Sequence, residues 1–190
     1  MDSKQAKAPP LSSKTRILCF DVETNGLHGD AFAVGAVVMN DGGGVQDQFT
    51  GRTKIVGQVN PWVEKNVLPA IADLPFTYPS EKDLREGFWK WYITAEAASD
   101  YVLVGNGYPV EYRFLMKCQE DNLEARYWQH PFPILDLFSL LIQIGDRSAK
   151  SRLLNEIMRE HNLSLHNPLD DAKMTALAAF RAFQLSGRIG

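Results

Sequence analysis

Acidic residues stand at three places in this chain where ordinary packing would not put them. Asp21 and Glu23 close an otherwise apolar run, Arg16 to Val22 (RILCFDV), whose β-branched and aromatic content reads as a buried strand. Side chains two apart on a strand share a face, so the two carboxylates lie side by side at its carboxyl end. Open α/β sheets bind their ligands beyond those ends. Like charges that close raise each other's pKa unless a cation sits between them, and a divalent metal is the simplest such partner. A solvated strand end with two ordinary acids is the plainer alternative. Glu111 shares a helical face with Phe114, Leu115 and Cys118 in the helix that follows Pro109. A carboxylate on a core-facing side is costly unless paired or metal-bound, although the first turn of a helix favours an anion through the helix dipole. The third place is His166-Asn-Pro-Leu-Asp-Asp171, which leads a polar loop into a helix with the apolar interior MTALAAF. In the first turn of so buried a helix Asp171 should point inward, while Asp170 could be the N-cap. His166, otherwise an ordinary loop histidine, becomes useful as a general base if it stands beside a reactive water.

The elements that must position these groups follow from periodicity. After the first strand, Thr24-Asn25-Gly26 makes a turn, and Ala31 to Met39 and Val45 to Thr50 read as two more strands. Asn40 to Gly44 (NDGGG) joins them with hairpin-turn chemistry; it lacks the spacing and the lysine of a phosphate-binding loop. A short helix or two should follow Pro61, broken by Pro69 and Pro75. Ser80, with Asp83 three residues on, caps a longer helix whose Leu84, Phe88, Trp91, Tyr92 and Ala95 recur at helical spacing. Tyr101 to Val104 is a strand, Pro109 opens a helix running to about Asp121, and Ile134 to Asp136 is a short strand leading into a helix through Ile144. Two more helices lie around Ser151 to His161 and Asp170 to Leu185. Three hairpin-linked strands followed by strands alternating with helices predict a mixed sheet covered on both faces. Asp136 reads as a helix cap, with a supporting role near the acids as the alternative. Trp62, Trp89, Trp91 and Trp128 read as packing residues, and Met116 and Met158 as core filler.

The chain has 190 residues, 45% of them hydrophobic and 23% charged, which suits one domain over 15–190 preceded by a disordered arm over 1–14. Cys19 and Cys118 both fall in apolar runs and read as reduced thiols. No apolar run reaches the roughly 18–20 residues that span a bilayer, and the amino-terminal arm has no secretory h-region, so a cytoplasmic protein without a membrane partner is the expectation. A formal charge of −3 argues against a wide basic face gripping long nucleic acid. It is compatible with an enzyme that holds a few terminal nucleotides at a carboxylate-rich metal site.

Taken in order, FDVETNGL (Phe20 to Leu27), GNGYPVEYRFL (Gly105 to Leu115) and HNPLDDA (His166 to Ala172) resemble the three motifs of the DEDDh family of 3′→5′ exonucleases, the DnaQ-like and RNase T-like enzymes. The resemblance implies an RNase H-like α/β fold, a mixed β-sheet flanked by helices on both faces. It implies two Mg²⁺ or Mn²⁺ ions held by Asp21, Glu23, Glu111 and Asp171, with Asp21 bridging, Glu111 the looser ligand, and His166 as general base. The partner it implies is the 3′ end of single-stranded DNA or RNA, or a short oligonucleotide. Thr24 and Glu23 would lie near the 3′-hydroxyl, Leu27 would wedge between terminal bases, and Asn106 belongs to the substrate-binding set. By the same resemblance the chain could form a homodimer. It departs from the pattern in having Glu rather than Asp at 111, one extra residue between Asn106 and Glu111, and Pro168 where a small residue is usual. A binding module of the same fold with a weakened or inactive site is the alternative these departures keep open. A metal-dependent phosphatase or nucleotide hydrolase on the same kind of sheet is a further one.

Overall fold

A computed structural model describes residues 15–129, 133–143 and 149–185. Three strands come first: β1 (Arg16–Thr24), β2 (Ala31–Asn40) and β3 (Val45–Arg52). Next are α1 (Pro61–Asn66), α2 (Glu81–Ala97), β4 (Tyr101–Val104), α3 (Val110–Glu120), α4 (Leu123–Arg126) and β5 (Ile134–Asp136). The chain continues through α5 (Leu137–Gln143), α6 (Ala149–His161) and α7 (Pro168–Leu185). The five strands form one sheet in the order β3-β2-β1-β4-β5. The β1–β2 and β2–β3 pairs are antiparallel, and β1–β4 and β4–β5 are parallel, so the predicted mixed sheet is present. The expected arm over 1–14 and the end of the fifth helix at Ile144 lie outside the described residues.

Strand alternation sorts β1 into two cores. Leu18, Phe20 and Val22 face α2 and α3, where Phe20 meets Phe88 at a ring-centroid distance of 5.5 Å and Tyr92 at 6.2 Å. Ile17 and Cys19 face the other way, against Met174, Ala176, Ala179 and Phe180 of α7 and Leu137 and Leu141 of α5. Asp21 and Glu23 continue this second row, so they point to the side on which α7 lies. The alanines of α7 let it run close to the sheet, and at Gly35 the approach is closest. A Cβ there would lie 2.1 Å from the Leu169 nitrogen and 2.2 Å from the Pro168 carbonyl carbon. Gly35 pairs directly with Asp21 in the β1–β2 register, so the start of α7 is pressed against the strand position that carries the first acid.

Several details differ from the sequence expectation. The last helix begins at Pro168, two residues early, because proline suits the first helical position and Asn167 does the capping. The Asn167 side chain accepts from the N–H groups of Leu169 and Asp170, while Asp170 accepts from Ser164 N–H at 3.0 Å instead of capping. The stretch after Pro61 forms one short helix, within the expectation, whereas α4 was not anticipated. Trp89 is buried as expected, whereas Trp62 and Trp128 are 56% and 83% exposed; neither packs into the core. Met116 is also exposed, because α3 turns that side to solvent, while Met158 packs against the α7 core. Asp136 does cap α5, accepting from Ser139 N–H at 2.8 Å, and its second oxygen accepts from Gly107 N–H at 3.0 Å. Cys19 and Cys118 are free and buried. Among the described residues no helix is long and apolar enough to cross a membrane.

Candidate active site

The acids of the three motifs converge beyond the carboxyl ends of β1 and β4. The parallel β1–β4 ladder stops at Phe20 and Val104, which leaves Asp21 and Glu23 just past the last pair. On the other side, the antiparallel β1–β2 ladder continues past the acids, with a register shift between Glu23 and Thr24. Asp171 arrives on the first turn of α7, and Glu111 on the first turn of α3, buried among the residues that face the sheet.

Burial and mutual repulsion define the electrostatics. The Asp21 carboxyl is held well above the usual carboxylate range by burial first, then by the charges of Asp171, Glu23 and Glu111. Burial pushes Glu23 up to about 8, with Asp171 and Glu111 adding to the rise. Asp171 is pushed up to about 7 by burial; the backbone N–H of His166 opposes this and Asp170 adds to it. Burial likewise pushes Glu111 up to about 7, against backbone N–H groups of its own residue and Val22 and with help from Asp136 and Asp171. Its Oε2 atom is buried without any hydrogen-bond partner. Four acids so placed resist ionising together unless a cation joins them. An all-oxygen donor set with one uncompensated buried oxygen fits a hard divalent cation such as Mg²⁺ or Mn²⁺. Ligand atoms of Glu23, His166 and Asp171 lie within 4.8 Å of one another.

His166 stands at the rim of this group. Its Nδ1 is 3.8 Å from Glu23 Oε1, and its side chain is about one-third exposed. Its backbone is in the left-handed region at φ 64°, an uncommon state for a side-chain-bearing residue. Asp171 Oδ2 accepts its N–H at 2.8 Å, so the motif's terminal acid fixes the histidine's backbone.

A cleft of about 620 Å³ opens over Asp21, Glu23 and Asp171, with Thr24, Leu27 and Trp62 on its walls. A second cavity of about 270 Å³ adjoins it at Asp21 and Asp171 and reaches Glu111, Asn106 and Tyr108. Thr24 lines the first cavity, Asn106 the second, and Leu27 both. Trp62 was missed. Its ring stands edge-on to His166 at a centroid distance of 5.2 Å. Asn60 caps α1 through Trp62 N–H, and the Asn25 side chain bonds both Asn60 N–H and the Gln58 carbonyl, which ties α1 to the first-motif turn. Gly35 was missed as well, although a glycine inside the apolar run AFAVGAVVM signals a close backbone approach. Arg113 is the third: it donates to the Gly29 carbonyl at 2.8 Å and so clamps the first-motif turn to α3.

No protein-family model and no curated protein matches the chain. Solved structures do. The nuclease domain of 3′hExo, described as a DEDDh family member bound to rAMP, superposes with a TM-score of 0.63 at 16% identity, covering 96% of this chain and 98% of that one. A 3′-exonuclease shown in 3′-end-specific recognition of a histone mRNA stem-loop superposes with a TM-score of 0.60 at 15% identity, over 92% of this chain and 84% of that one. Similarity at this level is one of fold: the chain has the RNase H-like α/β architecture.

Proposed function

We propose that this chain is a divalent-metal-dependent 3′→5′ exonuclease of the DEDDh kind, with residues 15–190 as its catalytic domain, acting on single-stranded DNA, RNA or short oligonucleotides. The observation that carries the reading is the meeting of Asp21, Glu23, Glu111 and Asp171 from three separated motifs across two adjoining cavities that share Asp21 and Asp171, with Glu111 Oε2 buried and unpartnered.

Asp21, Glu23, Glu111 and Asp171 would hold the ions. When bound, these would supply Lewis acidity toward a phosphodiester and toward the attacking water. The chain's own residues supply the rest. His166 takes the proton from the water, a role its rim position allows because its ring is open to solvent on one side and faces Glu23 on the other. The terminal nucleotide occupies the larger cavity, with its base against Trp62 and Leu27 and its 3′-hydroxyl near Glu23 and the backbone of Thr24. Hydrolysis places the proton on the departing 3′-oxygen of the penultimate nucleotide and leaves a 5′-phosphate on the released one. Glu111 is one methylene longer than the usual Asp and still an oxygen donor. The extra residue before it, in the Gly107-Tyr108-Pro109 segment, lies where the backbone could adjust to that length.

The test is degradation of 5′-labelled single-stranded DNA and RNA by wild type and Asp21→Asn with Mg²⁺, Mn²⁺ or EDTA. A metal-dependent ladder shortening from the 3′ end, lost in the variant, is the expected result. Folded protein that gives no ladder with either metal would overturn the proposal in favour of a non-catalytic binding module.

A further inference from the structure

A closed circuit of contacts runs round the larger cavity. Past Glu23 the chain enters the first-motif turn, where Asn25 Oδ1 accepts from Asn60 N–H at 2.7 Å and Asn25 Nδ2 donates to the Gln58 carbonyl at 2.9 Å. Asn60 Oδ1 in turn accepts from Trp62 N–H at 2.9 Å. Trp62 meets the His166 ring edge-on at 5.2 Å, and His166 Nδ1 comes back to Glu23 at 3.8 Å. Among the described residues no other hydrogen bond joins 58–62 to the first-motif turn. Gly26 leaves room for the join, since a Cβ there would lie 3.0 Å from Asn60 Nδ2. The turn is itself a firm anchor: Asn25 N–H donates to the Asp30 carbonyl at 3.0 Å, and Thr24 Oγ1 to the Gly26 carbonyl at 2.9 Å. On its inner side α1 is seated by one buried side chain, Val63, against Phe32, Val67 and Ile71. A single buried contact leaves rotation about it free, and the two Asn25 bonds remove that freedom. Asn60, Trp62 and His166 line the cavity, whereas Asn25 does not.

We propose that Asn25 is a positioning residue for the exonuclease reaction. Through Asn60 it fixes where Trp62 stands, and through Trp62 it sets the His166 ring and the width of the cleft. This inference rests on the exonuclease reading. Asn25 touches none of the four acids, so its loss changes how the terminal nucleotide is held and leaves ion binding as it is.

The experiment measures KM and kcat of the full chain, with Mn²⁺, on a single-stranded DNA hexamer. Asn25→Ala should raise KM roughly five-fold, the scale of one net hydrogen bond, while the Mn²⁺-induced rise in Tm is kept. Asn25→Asp, which keeps the acceptor for Asn60 N–H, should recover most of that loss. In a Trp62→Ala background, adding Asn25→Ala should raise KM by less than about two-fold, because the link it removes then ends on nothing. Effects that simply multiply overturn the proposal, since they would make Asn25 a general support of the fold. A second measurement needs no activity: the ring C–H NMR signals of His166 in EDTA at one pH, identified by their loss in His166→Ala. Trp62→Ala shifts them by removing the indole ring current, and Asn25→Ala should shift them the same way. Signals unmoved in Asn25→Ala, from an active wild type, overturn the positioning role alone. Wild type that shortens no hexamer overturns the exonuclease reading, and the NMR shift then decides separately whether Asn25 holds Trp62.

Discussion

Replacing Glu111 by Gln should stabilise the metal-free protein above neutral pH and weaken its response to metal. The carboxyl moves from its ordinary 4.5 to about 7 on folding, chiefly through burial. A folded-state pKa above the unfolded one means that the native protein binds more protons between the two values, so stability falls as pH rises through that window. Fully developed, above about pH 7, a shift of this size corresponds to roughly 3 kcal/mol, and at pH 5 to about 1 kcal/mol or less. Glutamine keeps the shape and an acceptor for the Val22 N–H, removes the charge, and puts a donor where Oε2 has no partner. For a chain of this length the gain at pH 8.5 in EDTA should raise Tm by roughly 6–12 °C. At pH 5 the difference should shrink several-fold. Saturating Mn²⁺ should reverse the order, because ligand binding stabilises wild type by about 2.7 kcal/mol at a hundred times Kd and the variant by less. Thermal unfolding of both proteins at the two pH values, in EDTA and in Mn²⁺, measures all of this. A variant less stable than wild type by the same amount at both pH values would refute the argument, since it would make Glu111 an ordinary packing residue.

Other substitutions test neighbouring steps. His166→Ala should lower turnover by roughly 10²–10⁴, the usual contribution of a general base, while the Mn²⁺-induced rise in Tm is largely kept. Parallel loss of both would make the histidine an organiser of the site instead. Trp62→Ala should raise KM for a single-stranded end roughly ten-fold with a smaller effect on kcat, and Trp62→Phe should restore most of it; steady-state kinetics decides. Gly35→Ala puts a methyl 2.1 Å from backbone of α7, so urea unfolding should show a loss of roughly 2–3 kcal/mol, together with a weaker Mn²⁺ effect as Asp171 moves away from Asp21. Unchanged stability would mean that α7 is not pressed on β2 as described.

The parts of this architecture that local rules control were legible in the chain. Alternation along RILCFDVE placed Asp21 and Glu23 on one face, Ser80 and Asp83 marked the start of α2, and helical spacing put Glu111 with Phe114 and Cys118. What depends on neighbours far along the chain was not. Trp62 has the composition of a core residue, and its exposure follows from α1 being tied by Asn60 to Asn25, some thirty-five residues earlier. Asp170 and Asn167 are both good capping residues, and the choice between them was made by Pro168 and by the Ser164 N–H that draws Asp170 away. Gly35 carried a signal, but its partner across the gap, the start of α7, is more than 130 residues distant in sequence.

Three cations on the helices that flank the first-motif turn are spent on partners other than the four acids. On α3, Arg113 is committed to the Gly29 carbonyl, and Lys117 to Asp30 at 3.0 Å and Glu81 at 3.4 Å. On α2, Arg85 is committed to Glu81 at 2.9 Å and Asp121 at 2.6 Å. These pairs fasten the first-motif turn to the two helices from the outside, and they hold down the Asp30 carboxyl rather than those of Asp21 or Glu23. Apolar packing then supplies the force that drives the four acids together: the aromatic cluster of Phe20, Phe88 and Phe114 seats α3, and the alanine face of α7 seats Asp171. The fold thus concentrates negative charge with one set of interactions, and on the proposed reading a bound cation would compensate it. On the proposed reading, the burial that raises these carboxyls weakens the metal-free protein as pH rises through their titration, and a bound divalent cation would offset that loss.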